Sequence, residues 1–531
     1  MALSRRNLLA TAAVGGAVGS AGGLALPNIA QAQGSRVLRF IPHADPTSLD
    51  PVWTTADITR NHGNMVYDQL YGVDENFKPH PQMVAGATTS ADGLVWELTL
   101  RDGLKFHDGE PVLAKDCVAT IKRWWVRDSY GTVLQAVTDE ISAPSDKMIR
   151  IRLKKPFALL PEALAQPACV MMPERIAMTS PNTQISDTIG SGPFRFRTDE
   201  RLSGSRVVYE RNAAYVPRQG GETSFLAGPK QVYFDRVEWT FQPDPATASA
   251  AMQKNEYDWY EAPAIDLVPL LKRDRNLSLK IINRMGGIGC IRFNSLHPPF
   301  NNVAIRRLVQ ACVNQKDFAE AVAGAVPELY KTGVGLFTPG MPMATDAGVE
   351  AVAGRTDFDK VKQELIAAGY KGEKVVLLGP STIPSLHAQS LVVNDLLRRM
   401  GFNVDYLALE GGTVVQRRAS KEPIDKGGWS IFITNLTSLN NVFVPAQIAI
   451  RSGPAAWFGW PDAPKLEELR EEWLAAPNET EQKRIVREMQ LQSFRDVPYV
   501  PTGLWMGYTC FNNSLTGIQN GWPVFWGVRR A

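Results

Sequence analysis

Residues 357–409 read DFDKVKQELIAAGYKGEKVVLLGPSTIPSLHAQSLVVNDLLRRMGFNVDYLAL, and this stretch decides the fold class. Apolar residues recur at helical spacing over 357–368, and Gly369 closes that helix. Residues 375–378 form a short apolar strand, 387–400 a second helix closed by Gly401, and 403–409 a second strand. Strand, helix and strand joined by short glycine-marked connections make a right-handed crossover, which predicts a locally parallel sheet and an α/β protein. Such sheets bind small molecules beyond the carboxyl ends of their strands, so a cleft between lobes is expected.

Working outward, 464–474 and 478–495 are amphipathic helices, the second opened by Asn478 with Glu481 three residues on, the pattern of a capping box. Residues 34–300 read mostly as short strands bounded by Gly, Pro and Asp, such as 37–40 and 96–100, interrupted by one clear helix at 114–127. No internal repeat and no low-complexity tract is found.

The chain has 531 residues, enough for several compact lobes. It is 44% hydrophobic and 21% charged, a globular balance that excludes disordered, collagenous and multi-span membrane classes. Its net charge is only +3 and no basic run could track a phosphate backbone, so nucleic acid is not an expected partner. The N-terminus combines a charged start, an Ala/Gly/Leu-rich stretch without acids, and Ala30-Gln31-Ala32, the pattern of a cleaved signal peptide ending at 32. Ser4-Arg5-Arg6-Asn7-Leu8-Leu9 resembles the twin-arginine export motif, which implies export in a folded state and a soluble periplasmic location. Cleavage removes two arginines and no acid, leaving the mature chain close to neutral. Five widely spaced cysteines, with no C-x-x-C pair, allow at most two disulfides and suggest neither zinc nor redox chemistry.

No catalytic constellation is legible. There is no G-x-S-x-G elbow, H-E-x-x-H pair, phosphate-binding loop or dinucleotide fingerprint, and the six histidines are scattered singly. Asp92-Gly93 and Asp108-Gly109 are turn dipeptides, and Asp116 opens a helix. No enzyme, cofactor or metal is expected.

Leu49-Asp50-Pro51, Tyr67-Asp68-Gln69-Leu70-Tyr71-Gly72 and LRDGLKFHDGEPVLAKD at 100–116 resemble the family 5 extracellular solute-binding proteins of ABC importers, the peptide- and nickel-binding group. The similarity continues through Gly190-Ser191-Gly192-Pro193-Phe194, Arg211-Asn212 with Tyr215, Phe293-Asn294 with Pro298-Pro299-Phe300, the helix 304–311, and Asp496-Val497-Pro498-Tyr499-Val500-Pro501. The resemblance implies a two-lobed, type II-like periplasmic-binding-protein fold with an additional inserted domain. It places the signal peptide at 1–32, lobe I at 33–70, 195–285 and 495–531, the inserted domain at 71–194, and lobe II at 286–494. It further implies a monomer that closes like a hinge over a solute and delivers it to the permease subunits of an importer.

Peptide-binding members carry, late in the second lobe, a Trp followed three residues later by an Asp that pairs with the peptide's α-amine. Here Trp429 is followed by Phe432, and no Asp or Glu occurs between Asp425 and Asp462. A buried ammonium without a carboxylate is costly, so either another acid substitutes or the ligand has no cationic end there. Trp429, Phe432, Asn435, Thr437 and Asn440 instead offer an aromatic and neutral hydrogen-bonding surface, with a buried strand as the plainer reading of 430–434. Arg417-Arg418 has the chemistry to pair with a carboxylate, Arg417 being the candidate, although Lys421 and Glu422 suggest a solvated face. Trp53, Thr54 and Thr55 fall where first-lobe contacts arise in such proteins. The cargo expected is a peptide or peptide-like solute; the alternatives are an opine, an oligosaccharide, an aromatic compound or chelated nickel, and, from another class, an exported hydrolase.

Overall fold

The computed structural model describes residues 36–324, 326–437, 442–453, 456–476 and 478–531; the signal-peptide reading lies outside these residues. Two large sheets organise the chain. One has seven strands in the order 277–280, 509–512, 259–260, 37–41, 236–240, 206–211 and 194–196. Its alternating apolar residues meet in an aromatic core where Phe40 packs on Trp239, Trp259 and Phe525 at centroid separations of 5.0–5.6 Å.

The second sheet has six strands in the order 330–331, 499–505, 287–293, 431–437, 374–380 and 403–409. The stretch that opened the sequence reading sits at its edge. Helix Phe358–Ala367 ends before Gly369, helix Pro384–Arg399 before Gly401, and both glycines have a positive φ. Strands Lys374–Pro380 and Asn403–Leu409 pair in parallel along their length, and Lys374–Pro380 also runs parallel to Ile431–Thr437. Val393, Leu396 and Leu397 of the crossover helix bury against Ile431 and Ile433.

A four-stranded antiparallel sheet, 84–89, 95–100, 148–153 and 138–145, with helix Ala114–Trp124 forms the inserted domain. Asp50 ties it to the first lobe. Its carboxylate accepts two bonds from the Arg123 guanidinium, at 3.0 and 2.6 Å, and one each from the backbone N–H groups of Val52, Trp53 and Ile185.

Two expectations change. Helices Asp57–Val66, Ser129–Val137 and Pro245–Gln253 join Ala114–Trp124 in the region read as mostly strand. The return to the first lobe comes after 505 rather than at 495, because the buried strand Tyr499–Trp505 pairs inside the second sheet and Thr509–Asn512 is the first strand back. The five cysteines are all free and buried. The chain therefore crosses between the large sheets at 281–286 and again at 506–508, the arrangement of a two-strand hinge. No helix among the described residues is long and apolar enough to cross a membrane.

Candidate functional site

The two lobes meet where helix Asp57–Val66 faces strand Ile431–Thr437 and the segment 410–418. On the first-lobe side, Asp50 fixes the turn from which Trp53, Thr54 and Thr55 emerge. Thr54 turns inward and its hydroxyl accepts from the Ala56 N–H, while the Trp53 carbonyl accepts from Arg127. Thr55 points across the cleft. The next residues, Asp57, Arg60 and Asn61, share one helix face; Asp57 Oδ1 accepts from Arg60 at 3.4 Å, and Asn61 donates to Glu261 at 3.3 Å. Glu261 also receives the backbone N–H of His43 and pairs with its ring at 2.8 Å. Burial is the largest single influence on His43 and opposes its charge. The field and hydrogen bond of Glu261, with Asp57 behind, outweigh it and hold the imidazole above its ordinary pKa.

From the second lobe, the strand Ile431–Thr437 alternates. Ile431 and Ile433 enter one core, and Phe432 and Leu436 enter the other. Asn435 accepts from Gln389, which in turn accepts from Thr502. Thr437 donates to Asp57 of the first lobe at 3.2 Å, one polar clasp between the lobes. Trp429 and Phe432 are fully buried, stacked edge to face at 5.0 Å, with the Trp429 indole N–H on the Ser420 carbonyl. They floor the site rather than line it as an open platform. Asn440 lies outside the described residues.

The two adjacent arginines part company. Arg417 donates to the carbonyls of Gly427 and Gly428 and so pins the loop before the strand. Arg418, at the C-terminus of helix Gly411–Arg417, turns inward and is 5% exposed. Its guanidinium carbon stands 5.6 Å from the Phe432 ring, 5.4 Å from Trp457 and 5.0 Å from Phe458, an aromatic cage. One terminal nitrogen donates to Thr55 Oγ1 at 3.1 Å, a second clasp between the lobes. Its Nε is buried without a partner, and no ion pair reaches it among the described residues. Burial pulls its pKa down to about 10, which leaves it a cation at neutral pH.

Arg292 also stands near Trp457, at 5.2 Å, but is satisfied: it donates to the carbonyls of Phe458, Ala449, Pro498 and Trp457. The site thus holds two buried cations around one indole, one anchored by backbone and one open. Sequence reading names the Arg417-Arg418 pair but selects Arg417, and it passes over Asp57, His43 and Glu261. The only signal for Arg418 is its place in the Arg-Arg pair, since a seven-residue helix carries too little periodicity to say which of two neighbours faces in. Among the described residues no group of three or more His, Cys, Asp or Glu is placed to hold a metal ion.

Two lobes on separate sheets, two crossing segments and polar contacts that clasp across a cleft define a solute-binding protein of the hinge-closing kind. The family model for bacterial extracellular solute-binding proteins, family 5, matches residues 78–443, and the chain belongs to that family. It is 37% identical over its whole length to the whole of a probable peptide ABC transporter periplasmic-binding protein, y4tO, of Sinorhizobium fredii. Two solved structures share the fold at a TM-score of 0.76. One is AgaA from A. tumefaciens R10 in complex with agropinic acid, 17% identical, covering 93% of this chain and 99% of that one. The other is DppA from Helicobacter pylori in complex with the peptide STSA, 19% identical, covering 93% and 98%.

Proposed function

We propose that this protein is the periplasmic receptor of an ABC importer, which captures a peptide or peptide-like small solute by hinge closure and presents it to the permease. The observation that carries this reading is the pair of clasps, Arg418 to Thr55 and Thr437 to Asp57, which join the lobes around an incompletely satisfied Arg418. A ligand touching both sides there stabilises the closed arrangement over the open one, and that difference is the transport signal. The relative named for peptide transport supports a peptide-like cargo. The agropinic acid complex keeps a non-peptide organic acid as the second reading. The protein acts without catalysis, as a monomer, after export by the twin-arginine machinery through the motif at 4–9. Trp53, Asn435 and Thr437 line the ligand's path with Thr55, and lobe limits near 70, 194 and 285, with the last crossing at 506–508, separate the domains.

The test is a thermal-shift screen of the mature chain against di- to pentapeptides, amino acids, opines, sugars, aromatic acids and nickel chelates. A ligand at a hundredfold excess over its Kd adds roughly 2.7 kcal/mol to stability, a visible rise in Tm. A peptide or organic acid that raises Tm supports the receptor reading, and no shift from any class overturns it.

A further inference from the structure

We propose that Arg418 is an anion-recognition point, so that the solute taken by this receptor presents a carboxylate, rather than an ammonium group, to the second lobe. This deepens the receptor reading and rests on it. Three independent observations converge. The sequence supplies no acid here: 426–461, which includes Phe432, contains no Asp or Glu. The structure places a cation beside it, the Arg418 guanidinium carbon standing 5.6 Å from the centre of the Phe432 ring. That cation is incompletely satisfied, with one hydrogen bond to Thr55 Oγ1 and a buried, unpartnered Nε.

A guanidinium 95% out of water and without a carboxylate carries a desolvation cost that three aromatic faces offset only in part. Arg292, equally buried, has carbonyls on its nitrogens and needs nothing more. Asp57, whose charge favours the Arg418 cation, is itself engaged by Thr437 and Arg60. A ligand carboxylate supplies the missing acceptor, and the planar fork of arginine suits it. The Thr55 hydroxyl, which accepts from Arg418, keeps its own proton to donate to the same oxyanion. A carboxylate shared by Arg418 of one lobe and Thr55 of the other exists only when the cleft is shut, so the anion itself drives closure.

The experiment is calorimetric titration of wild type, Arg418→Lys and Arg418→Met with N-acetylated di- and tripeptides, each as the free C-terminal acid and as the C-terminal amide. Wild type should bind the acids and bind the amides roughly ten- to hundredfold more weakly, the worth of one charge-assisted hydrogen-bonded contact. Arg418→Met should lose this discrimination, and Arg418→Lys, with its charge but without the fork, should keep part of it. A purely structural arginine would lower the Tm of the unliganded variants and leave the acid-to-amide ratio unchanged. Equal binding of acid and amide by wild type, which needs no variant to fold, overturns the anion site. So does binding of inorganic phosphate alone with no response to carboxylates. If the acids and amides bind alike, or only sugars or amine-bearing peptides bind, the receptor reading survives and the anion site falls. If nothing in the wider screen binds, both fall.

Discussion

Asp50 illustrates why a recognisable residue need not touch ligand. Both it and Arg123 are buried, and its carboxylate satisfies three backbone N–H groups besides the guanidinium. Removing one partner of such a pair strands the other charge away from water. Asp50→Asn should therefore cost about 3–5 kcal/mol in urea denaturation, the cost of leaving the Arg123 charge buried without its partner. Histidines give the chain an acid limb. Burial, the leading cause in each case, lowers the pKa of His62 to about 3 and of His107 to about 4. Both values lie below that of the unfolded chain, so as pH falls below about 6.5 the unfolded state takes up protons that the folded state refuses. Their contribution is complete above that pH and declines as pH falls towards 4, by at most about 1.4 kcal/mol per unit for each ring. His43 works in the opposite sense: its raised pKa adds stability below the unfolded value, and this is lost as pH rises through the folded one. Denaturation at pH 7.5, 6 and 4.5 checks this, and His62→Gln should flatten the acid limb; an unchanged limb would refute the assignment.

At the scale of single elements, legibility follows from how each is buried. Strands 374–380 and 403–409 and their helices were readable because their inward faces are aliphatic and glycines with positive φ end the helices. The cap at 478 was readable for a local reason, and the Asn478 side chain accepts from the Glu481 N–H at 3.0 Å. Asn478→Ala should lower stability by about 1 kcal/mol in thermal or urea melts, with no effect on ligand affinity, because the cap is exposed and serves only its own helix. Helix Asp57–Val66 was not readable. Its buried face mixes Ile58, Met65 and Val66 with Thr59, Asn61, His62, Gly63 and Asn64, so its apolar stripe is broken by polar residues, and a Cβ at Gly63 would come within 2.8 Å of Pro51. Those polar residues pack into the first lobe, Thr59 on the Ser48 carbonyl and His62 on the Tyr209 hydroxyl, while Asp57 at the start of the helix faces the cleft. The candidate site was accordingly half legible: the acid-free stretch around Phe432 stands in the sequence, whereas the guanidinium beside it depends on which way one turn of a short helix points.

For the whole molecule, the question is how closely the lobes must approach, and Gly412 answers it. It lies in the helix Gly411–Arg417, whose N-cap Glu410 side chain accepts from Thr413, and it presses directly on Thr47 of the first lobe. A Cβ built at 412 would lie 2.2 Å from the Thr47 methyl and 2.9 Å from the Glu410 carboxylate, distances no real side chain tolerates. The first of these clashes exists only while the lobes touch. Gly412→Val should therefore disturb each lobe little when the cleft is open and oppose its closure, and closure is where Arg418 meets Thr55 and Thr437 meets Asp57. Overpacking of this kind costs about 1–3 kcal/mol, so affinity for whichever solute the screen identifies should fall roughly five- to hundredfold. Small-angle scattering of the liganded variant should give a larger radius of gyration than that of the liganded wild type. Thr47→Gly in the same chain should restore part of both, because it removes the methyl that the new side chain strikes. Full affinity in Gly412→Val would mean that this helix is not a closing surface and that the hinge reaches its working angle by another contact.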